Sequence, residues 1–213
     1  MFLLSITNSI LSIITGSVNI ASGEITKYGY IGIFGLMTLE GMSFPVPSEV
    51  IMPLVGFLSA KGTLLLPIAL FVGILGNLVG ILVDYYIAYF LGKDVVYKHL
   101  HKFHIKKQTM DSIDKWFEKN GNFAVFATRM IPIVRGVISF PAGFAKMNIK
   151  KFIIYSLLGS IIWDVVLALF GYYALPTGNA ILILISLGVL GIILYIIYIK
   201  FMRSLKKQVH ATR

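Results

Sequence analysis

The chain has 213 residues, of which 57% are hydrophobic and 13% are charged, and its mean hydropathy is +0.86. Soluble domains are nearer half apolar and a quarter charged, so this composition excludes an ordinary soluble protein and indicates a one-domain, multi-pass membrane protein. The net charge of +10 comes mostly from lysines in short loops between apolar segments, where they set topology and contact anionic lipid rather than nucleic acid. The absence of cysteine excludes disulfides and thiol chemistry.

The first part of the chain predicts an N-terminal helix within residues 1–27, followed by a broken apolar segment. Residues 2–21 are apolar but contain Ser, Thr and Asn, so they either span the membrane or lie at its interface. Within residues 30–60, Pro45 and Pro47 divide the segment into two halves. Each half has about 12–15 residues, too few to cross roughly 30 Å of hydrocarbon. We therefore expect a re-entrant hairpin or one broken span.

A helix-start signal follows this break. Ser48 is expected to cap a half-helix that runs to Ala60. Residues 64–92 then predict a transmembrane helix that contains one acid, Asp84. Its glycines are spaced for close helix packing: Gly73, Gly76 and Gly80.

Residues 93–120 form the only long hydrophilic segment of the sequence. They contain seven lysines and three histidines, and their apolar spacing predicts an amphipathic cytoplasmic helix resting on anionic headgroups. His99, His101 and His104 could bind a metal, but no nearby carboxylate completes a ligand set. We therefore predict a solvated basic surface and no metal site.

Residues 122–145 are apolar enough for a bilayer, yet they contain Arg129, Arg135, Pro132 and Pro141. An arginine at membrane depth costs at least about 2.5–3.5 kcal/mol on insertion scales, so it normally faces protein, water or an anion. Proline breaks the helix, and broken backbone at that depth needs protein or a polar cavity to satisfy it. We interpret the segment as a second re-entrant hairpin that presents two guanidiniums to an anion. The expected helix-break and hinge residues of both hairpins are Pro45, Pro47, Pro132, Pro141 and Gly143.

The chain ends with two apolar spans, residues 152–174 and 180–199, and a basic tail, residues 200–213. The positive-inside rule places the hydrophilic segment and the tail in the cytoplasm, which requires the second hairpin to enter and leave from that side and the first to do so from the outside. The predicted fold is an all-α integral membrane protein. It has an inverted repeat of two re-entrant broken-helix hairpins, each followed by a transmembrane helix, plus an N-terminal helix and a final C-terminal span.

Three motifs lie along the core of the sequence. They are Glu40-Gly-Met-Ser-Phe-Pro45-Val-Pro47-Ser48-Glu49, the segment from Gly80 to Gly92, and Phe126-x2-Arg129-x2-Pro132-x2-Arg135 continuing to Pro141-Ala142-Gly143-x3-Met147. They resemble the motifs of the DedA family, also called the SNARE-associated or VTT-domain family, over residues 28–175. The second motif departs from the family pattern, because its usual acid falls on Ile81; Asp84, one helical turn later, is the candidate substitute.

The resemblance implies lipid transport. The family is associated with flipping or scrambling phospholipids, with returning polyprenyl phosphates to the cytoplasmic leaflet, and with proton motive force. By position, Glu40, Glu49, Arg129 and Arg135 match the residues on which the family depends. We therefore expect a multi-pass cell (plasma) membrane flippase or scramblase for undecaprenyl phosphate, dolichyl phosphate or a phospholipid, with a cytoplasmic C-terminus. Proton coupling and a homodimer stay open.

The two arginines are the candidate phosphate-binding residues. A guanidinium is always charged and offers a planar donor fork that matches phosphate. Arg129 and Arg135 are six residues apart with Pro132 midway, so both can face one cavity. The structural alternative is that they pair with Glu40 and Glu49 to hold the fold. Both readings hold if the acids neutralise the arginines until phosphate displaces them.

Glu40, Glu49 and Asp84 are the candidate proton-coupling or charge-pairing residues. Burial opposes the charged form of a carboxyl, and a nearby arginine favours it. We hypothesise that one acid, preferably Glu49, exchanges a proton as substrate moves; its alternative role is to face the positive end of the following helix. Asp84 could pair with either arginine, and Asp164 is a weaker candidate of the same kind; either acid could instead satisfy a neighbouring Ser or Tyr.

Other function classes make different demands on the sequence. A lipid phosphatase needs a nucleophile or a metal set at the membrane, but all four histidines lie in the loop or the tail, so we predict no enzyme and no cofactor. A proton-coupled small-ion antiporter would depend on the proton gradient without depending on lipid. A non-transporting membrane assembly protein would tolerate neutral residues in place of both arginines.

Overall fold

The computed structural model describes residues 20–44, 46–100 and 121–174, together with Gly16 and Pro176. Regular structure within these residues is α-helical, without a strand, as the composition predicts. The helices are α1 (20–28), α2 (Tyr30–Gly41), α3 (Ser48–Ala60), α4 (Leu66–Leu100), α5 (121–128), α6 (Pro132–Val137), α7 (Ser139–Phe144) and α8 (Ile149–Tyr173). The final span, the tail, Pro45, most of residues 1–27 and most of the 93–120 segment lie outside the described residues, as do the side chains of the histidine trio.

Among the described residues, two helices are long and apolar enough to cross a membrane. Leu66–Gly92 of α4 has 27 residues with a mean hydropathy of 2.4, and α8 has 25 residues with 2.1. About 20 residues suffice to cross the hydrocarbon. Both helices carry exposed large apolar side chains, such as Phe71, Phe90 and Ile154, which suit contact with lipid.

The first hairpin breaks between α2 and α3, at the Pro-x-Pro element. The two helices have 12 and 13 residues, each too short to span. Ser43 adopts a left-handed φ of +58° in the turn after α2. Helix α3 begins at Ser48, but its N-cap residue is the extended Pro47. The predicted capping role of Ser48 is wrong, because its hydroxyl accepts a hydrogen bond from Arg135 Nη1 instead, at 2.9 Å.

The second hairpin is interrupted more often than the first. After α5, Ile131 is extended, with φ −116° and ψ 112°, as expected for a residue before proline. Pro132 then opens α6, where its missing N–H costs no helical hydrogen bond. Pro141 lies within the first turn of α7. The first proline therefore marks the break itself, whereas the second follows a break.

The short helices of each hairpin pack on both long helices. Helix α2 packs on α4 and α3 packs on α8, whereas α7 packs on α4 and α5 packs on α8. Glycines permit close approach: a Cβ at Gly80 would collide with the Thr38 carbonyl, and one at Gly143 would collide with the Tyr85 carbonyl. The interrupted segments of both hairpins are thereby held between α4 and α8, where the polar side chains gather.

Candidate phosphate-binding site

Arg129 and Arg135 lie in the interior of this helical assembly, with 1% and 3% of their side chains exposed. We expected that both could face one cavity. The structure encloses both guanidiniums and places them in different surroundings. They are linked because Arg129 Nη1 donates a hydrogen bond to the backbone carbonyl of Arg135.

Arg135 is paired with an acid of the first hairpin. Its Nε lies 2.9 Å from Glu40 Oε1 and its Nη2 lies 3.3 Å from Glu40 Oε2, a two-point contact that suits the planar guanidinium. Its Nη1 donates to Ser48 Oγ, and Asp164 Oδ1 lies 3.6 Å from its Nη2. The side chain also lies beside the Trp163 ring, with 5.8 Å from Cζ to the centroid. This arginine therefore joins α6 to α2, α3 and α8.

Arg129, by contrast, has neutral oxygens as its hydrogen-bond partners. Besides the Arg135 carbonyl, its Nη2 donates to Ser139 Oγ at 3.0 Å and to Ser156 Oγ at 3.3 Å. Its Nε has no hydrogen-bond partner, and within the described residues it forms no salt bridge. The Phe152 ring lies 5.8 Å from its Cζ. A buried cation without a paired carboxylate is costly, so Arg129 lacks the charge compensation that Glu40 gives to Arg135.

Glu40 connects Arg135 to the long helices through two polar side chains. Asn77 Nδ2 of α4 donates to Glu40 Oε2 at 2.5 Å, and Ser160 Oγ of α8 donates to Asn77 Oδ1 at 3.1 Å. All of these side chains are buried. A buried polar network whose members are satisfied holds one arrangement of its helices. The Glu40 network therefore fixes α2, α4, α6 and α8 relative to one another.

The other buried acids have fewer partners. Asp84 is 3% exposed; its Oδ2 lies 2.6 Å from Ser43 Oγ, and the same hydroxyl lies 2.9 Å from the Gly136 carbonyl oxygen. Of the two predicted alternatives, an arginine or a neighbouring Ser or Tyr, Asp84 contacts the serine and forms no salt bridge within the described residues. Asp164 is fully buried, and neither of its oxygens has a hydrogen-bond partner among those residues.

The remaining predicted site residues lie at the edge of this cluster. Glu49 lies in the first turn of α3 and is half-buried, a position that suits the positive helix end. Arg135 pairs with Glu40 and not with Glu49. Pro47 precedes α3, and Gly143 packs its backbone against Tyr85 of α4. The buried cluster therefore consists of Glu40, Asp84, both arginines and Asp164, and the half-buried Glu49 lies at its edge, where its charge acts on Arg135 without a salt bridge.

Comparison with known proteins identifies the family. A protein-family model described as the VTT domain matches residues 46–173, more than half of the chain. The chain belongs to the VTT-domain (DedA) family. It is 33% identical over 151 residues to the Staphylococcus aureus undecaprenyl phosphate transporter A, which covers 69% of this chain and 74% of the relative. No solved structure matches the chain.

Two further relatives match a similar share of the chain. The Bacillus subtilis undecaprenyl phosphate transporter A is 33% identical over 156 residues, which is 73% of this chain and 75% of the relative. A Lactococcus lactis protein named alkaline phosphatase-like protein is 33% identical over 156 residues, 69% of this chain and 71% of the relative. The predicted family is thus confirmed, and the chain is a membrane protein.

The neutral polar residues of the buried cluster were not predicted from the sequence as site residues, and Ser48 was given only a capping role. These residues contact the two arginines or Glu40, and they are Ser48, Asn77, Ser139 and Ser156. Their signal in the sequence is weak, because serine and asparagine occur at many apolar positions of this chain. Asn77 and Ser156 each stand three residues before a packing glycine, Gly80 and Gly159. That shared spacing is the pattern that could have found them.

Proposed function

We propose that this VTT-domain protein moves lipids with a phosphate headgroup, foremost a polyprenyl phosphate, between the leaflets of the cell membrane. The observation that carries the proposal is Arg129, a buried guanidinium whose partners are neutral oxygens and whose Nε is unpaired. Such a cation gains from an anion that can enter its surroundings. A lipid phosphate is an anion that must leave water in order to cross the bilayer. Two relatives named undecaprenyl phosphate transporter A support this choice of substrate.

The two arginines have different parts in the proposal. Arg129 binds the phosphate, because no carboxylate has to be displaced from it. Arg135 becomes the second guanidinium to contact the phosphate only after its two-point contact with Glu40 opens. Both guanidiniums are enclosed, so the described arrangement corresponds to a closed state, and substrate entry needs the hairpins to move apart. Glu40 then serves as the internal anion that holds Arg135 until phosphate replaces it.

The exchange of packing partners supports an inverted repeat as the basis of this movement. Each hairpin places its first helix on the long helix of its own half and a later helix on the long helix of the other half. The charged residues follow the same scheme: Glu40 lies near Asn77 and Gly80 of α4, and Arg129 lies near Ser156 and Gly159 of α8. We propose that the halves are related by inversion and that the broken hairpins re-enter from opposite faces.

Topology and coupling complete the proposal. The basic 93–120 segment and the tail lie in the cytoplasm by charge counting, so the C-terminus is cytoplasmic. The division into a core of residues 28–175 with flanking N- and C-terminal helices follows the extent of the family resemblance. An acid of the site, Glu40, Glu49 or Asp84, exchanges a proton as the phosphate passes.

The test is lipid movement in proteoliposomes. Radiolabelled polyprenyl phosphate, the uncharged polyprenol and a glycerophospholipid are compared for wild type, Arg129→Gln and Lys61→Gln, with and without a pH gradient. Lys61 is exposed, so its variant is a matched loss of one positive charge outside the site. We expect polyprenyl phosphate to move with wild type and Lys61→Gln but not with Arg129→Gln. If folded wild-type protein moves none of these lipids, the proposal fails, and gradient-driven ion flux in the same vesicles would identify a small-ion antiporter.

A further inference from the structure

The inference concerns the three-part contact between Asp84 of α4, Ser43 after α2 and Gly136 of α6. Ser43 Oγ lies 2.6 Å from Asp84 Oδ2 and 2.9 Å from the Gly136 carbonyl oxygen. A serine hydroxyl carries one hydrogen, and a carbonyl oxygen only accepts. Ser43 can therefore satisfy both neighbours only if it donates to Gly136 and accepts from Asp84. An ionised carboxylate has no hydrogen to give, so this geometry calls for a protonated Asp84.

Charge balance leads to the same residue. Within the part of the chain that the structure describes, three buried carboxyls, Glu40, Asp84 and Asp164, share the interior with two guanidiniums, Arg129 and Arg135. Full ionisation would leave one uncompensated negative charge in a low-dielectric interior, which is unfavourable. One acid of the three therefore holds a proton.

The hydrogen-bond partners select Asp84 among the three acids. Glu40 accepts from Arg135 and from Asn77, so it is held as a carboxylate. Asp164 lies 3.6 Å from Arg135 Nη2, and a proton on it would be a donor without an acceptor among the described residues. A proton on Asp84, by contrast, completes a chain of hydrogen bonds.

Among the described residues, none of the acids and bases around Asp84 contacts Ser43 in its place. The elements packed against α4 contribute Glu40 from α2, Asp164 from α8 and the half-buried Glu49 from α3, and α6, which reaches Ser43 through Gly136, contributes Arg135. Arg129, after α5, acts on Asp84 through its charge. Helix α7 contributes no ionisable side chain.

We propose that a proton on Asp84 latches the two hairpins together through Ser43 and Gly136, and that its loss releases the latch. In the latched state Asp84 donates to Ser43 Oγ, and Ser43 donates to the Gly136 carbonyl. When the proton leaves to water, the Ser43 hydroxyl turns to the carboxylate, and Gly136 loses its donor. Ser43 keeps its left-handed backbone only at a cost, so losing one of its two contacts favours rearrangement of the turn. The proposal deepens the proposed function by naming the acid that regulates access to the site.

The experiment uses the absence of native cysteine. Val137, adjacent to Gly136 and 5% exposed, becomes a reporter in Val137→Cys protein, which is treated with a small membrane-permeant thiol reagent across a pH series. Labelling rates are compared in the otherwise wild-type background and in Asp84→Asn, which keeps a donor at every pH. Their ratio cancels the thiol's own pH dependence. We expect the ratio to be near one at low pH and to rise about tenfold or more as pH increases. A ratio that stays at one throughout overturns the proposal.

A second pair of variants tests the hydroxyl itself. Ser43→Ala is expected to label fast at every pH, because it removes both contacts. Thr38→Val, in α2 just before this turn, is the matched control, because its hydroxyl bonds to the Phe34 carbonyl of its own helix, so it should label as slowly as wild type at low pH. Slow labelling of Ser43→Ala at low pH would also overturn the latch. The reporter needs no lipid movement, so a pH-dependent ratio without lipid transport would reject the proposed function alone.

Discussion

Arg129 and Arg135 lie six residues apart on one interrupted hairpin, yet their surroundings differ in kind. Arg135 meets a carboxylate at two points and a second carboxylate at 3.6 Å. Arg129 meets serine hydroxyls and a carbonyl. A buried guanidinium paired with an acid can hold a fold together without any ligand. A buried guanidinium with neutral partners carries an unmet demand for negative charge, and this difference separates a positioning residue from a substrate-binding one.

The largest expected effect is a loss of stability on removing the charge of Arg135, which tests whether this arginine holds the fold together. Arg135→Gln leaves Glu40 buried without its cation, so we expect a loss of about 3–5 kcal/mol in stability. Thermal unfolding in detergent measures it. The double variant Arg135→Gln with Glu40→Gln should recover part of that loss, because Glu40 is then neutral while Asp164 still lacks its cation. A double variant as unstable as the single one would show that Glu40 does not need Arg135.

Arg129→Gln tests whether Arg129 binds substrate rather than holding the fold. Glutamine removes the charge and breaks no salt bridge among the described residues. Relief from burying an unpaired cation offsets part of the lost hydrogen bonds, so we expect a smaller loss of stability than in Arg135→Gln. Transport of polyprenyl phosphate should nevertheless fall about a hundredfold or more, as suits the loss of a charged contact worth roughly 3 kcal/mol. Thermal unfolding and the vesicle assay on one preparation separate the two effects. Normal transport by this variant would make Arg129 a structural residue.

The sequence predicts where the two hairpins break, but not the different surroundings of the two arginines. Arginine and proline within apolar residues 122–145 are rare enough to mark the segment, and the Pro-x-Pro element marks the other break. Helix α3 ends at Ala60, as expected from the turn residues 61–63 that follow it. The pairing of acids with arginines cannot be predicted in this way, because it depends on how the short helices of the two hairpins pack on α4 and α8. Glu40 and Arg135 are 95 residues apart, and no local pattern pairs them.

The position of Ser48 shows the same limit. Its place after two prolines predicts a helix cap, which is a local role. In the structure the helix begins there without a side-chain cap, and the hydroxyl serves Arg135 from a distant part of the chain. A buried guanidinium has donors to satisfy, and that tertiary demand outweighs one capping bond.

Gly159→Ala is expected to have a smaller effect on the surroundings of Arg129. A Cβ there would lie 2.6 Å from Arg129 Cβ and 2.9 Å from the Phe126 carbonyl oxygen. Helix α5 must shift away from α8, which costs about 1–3 kcal/mol as overpacking does. Gly73→Ala is the matched control on α4, because its Cβ would meet side-chain atoms at 3.5 Å or more. Thermal unfolding should separate the two variants, and equal stabilities would mean that α5 does not pack tightly on α8.

Glu49→Gln should have the smallest effect on stability and so gives the sharpest reading of function. Glu49 is half-buried in the first turn of α3 and forms no ion pair with the described residues; its charge contributes about 0.3–1 kcal/mol at the helix end and acts at longer range on Arg135. A large loss of transport in this variant at unchanged thermal stability would assign Glu49 to the lipid path or to proton exchange. Full transport would confine the role of Glu49 to the helix end and leave the buried Glu40 and Asp84 as the remaining candidates for proton exchange.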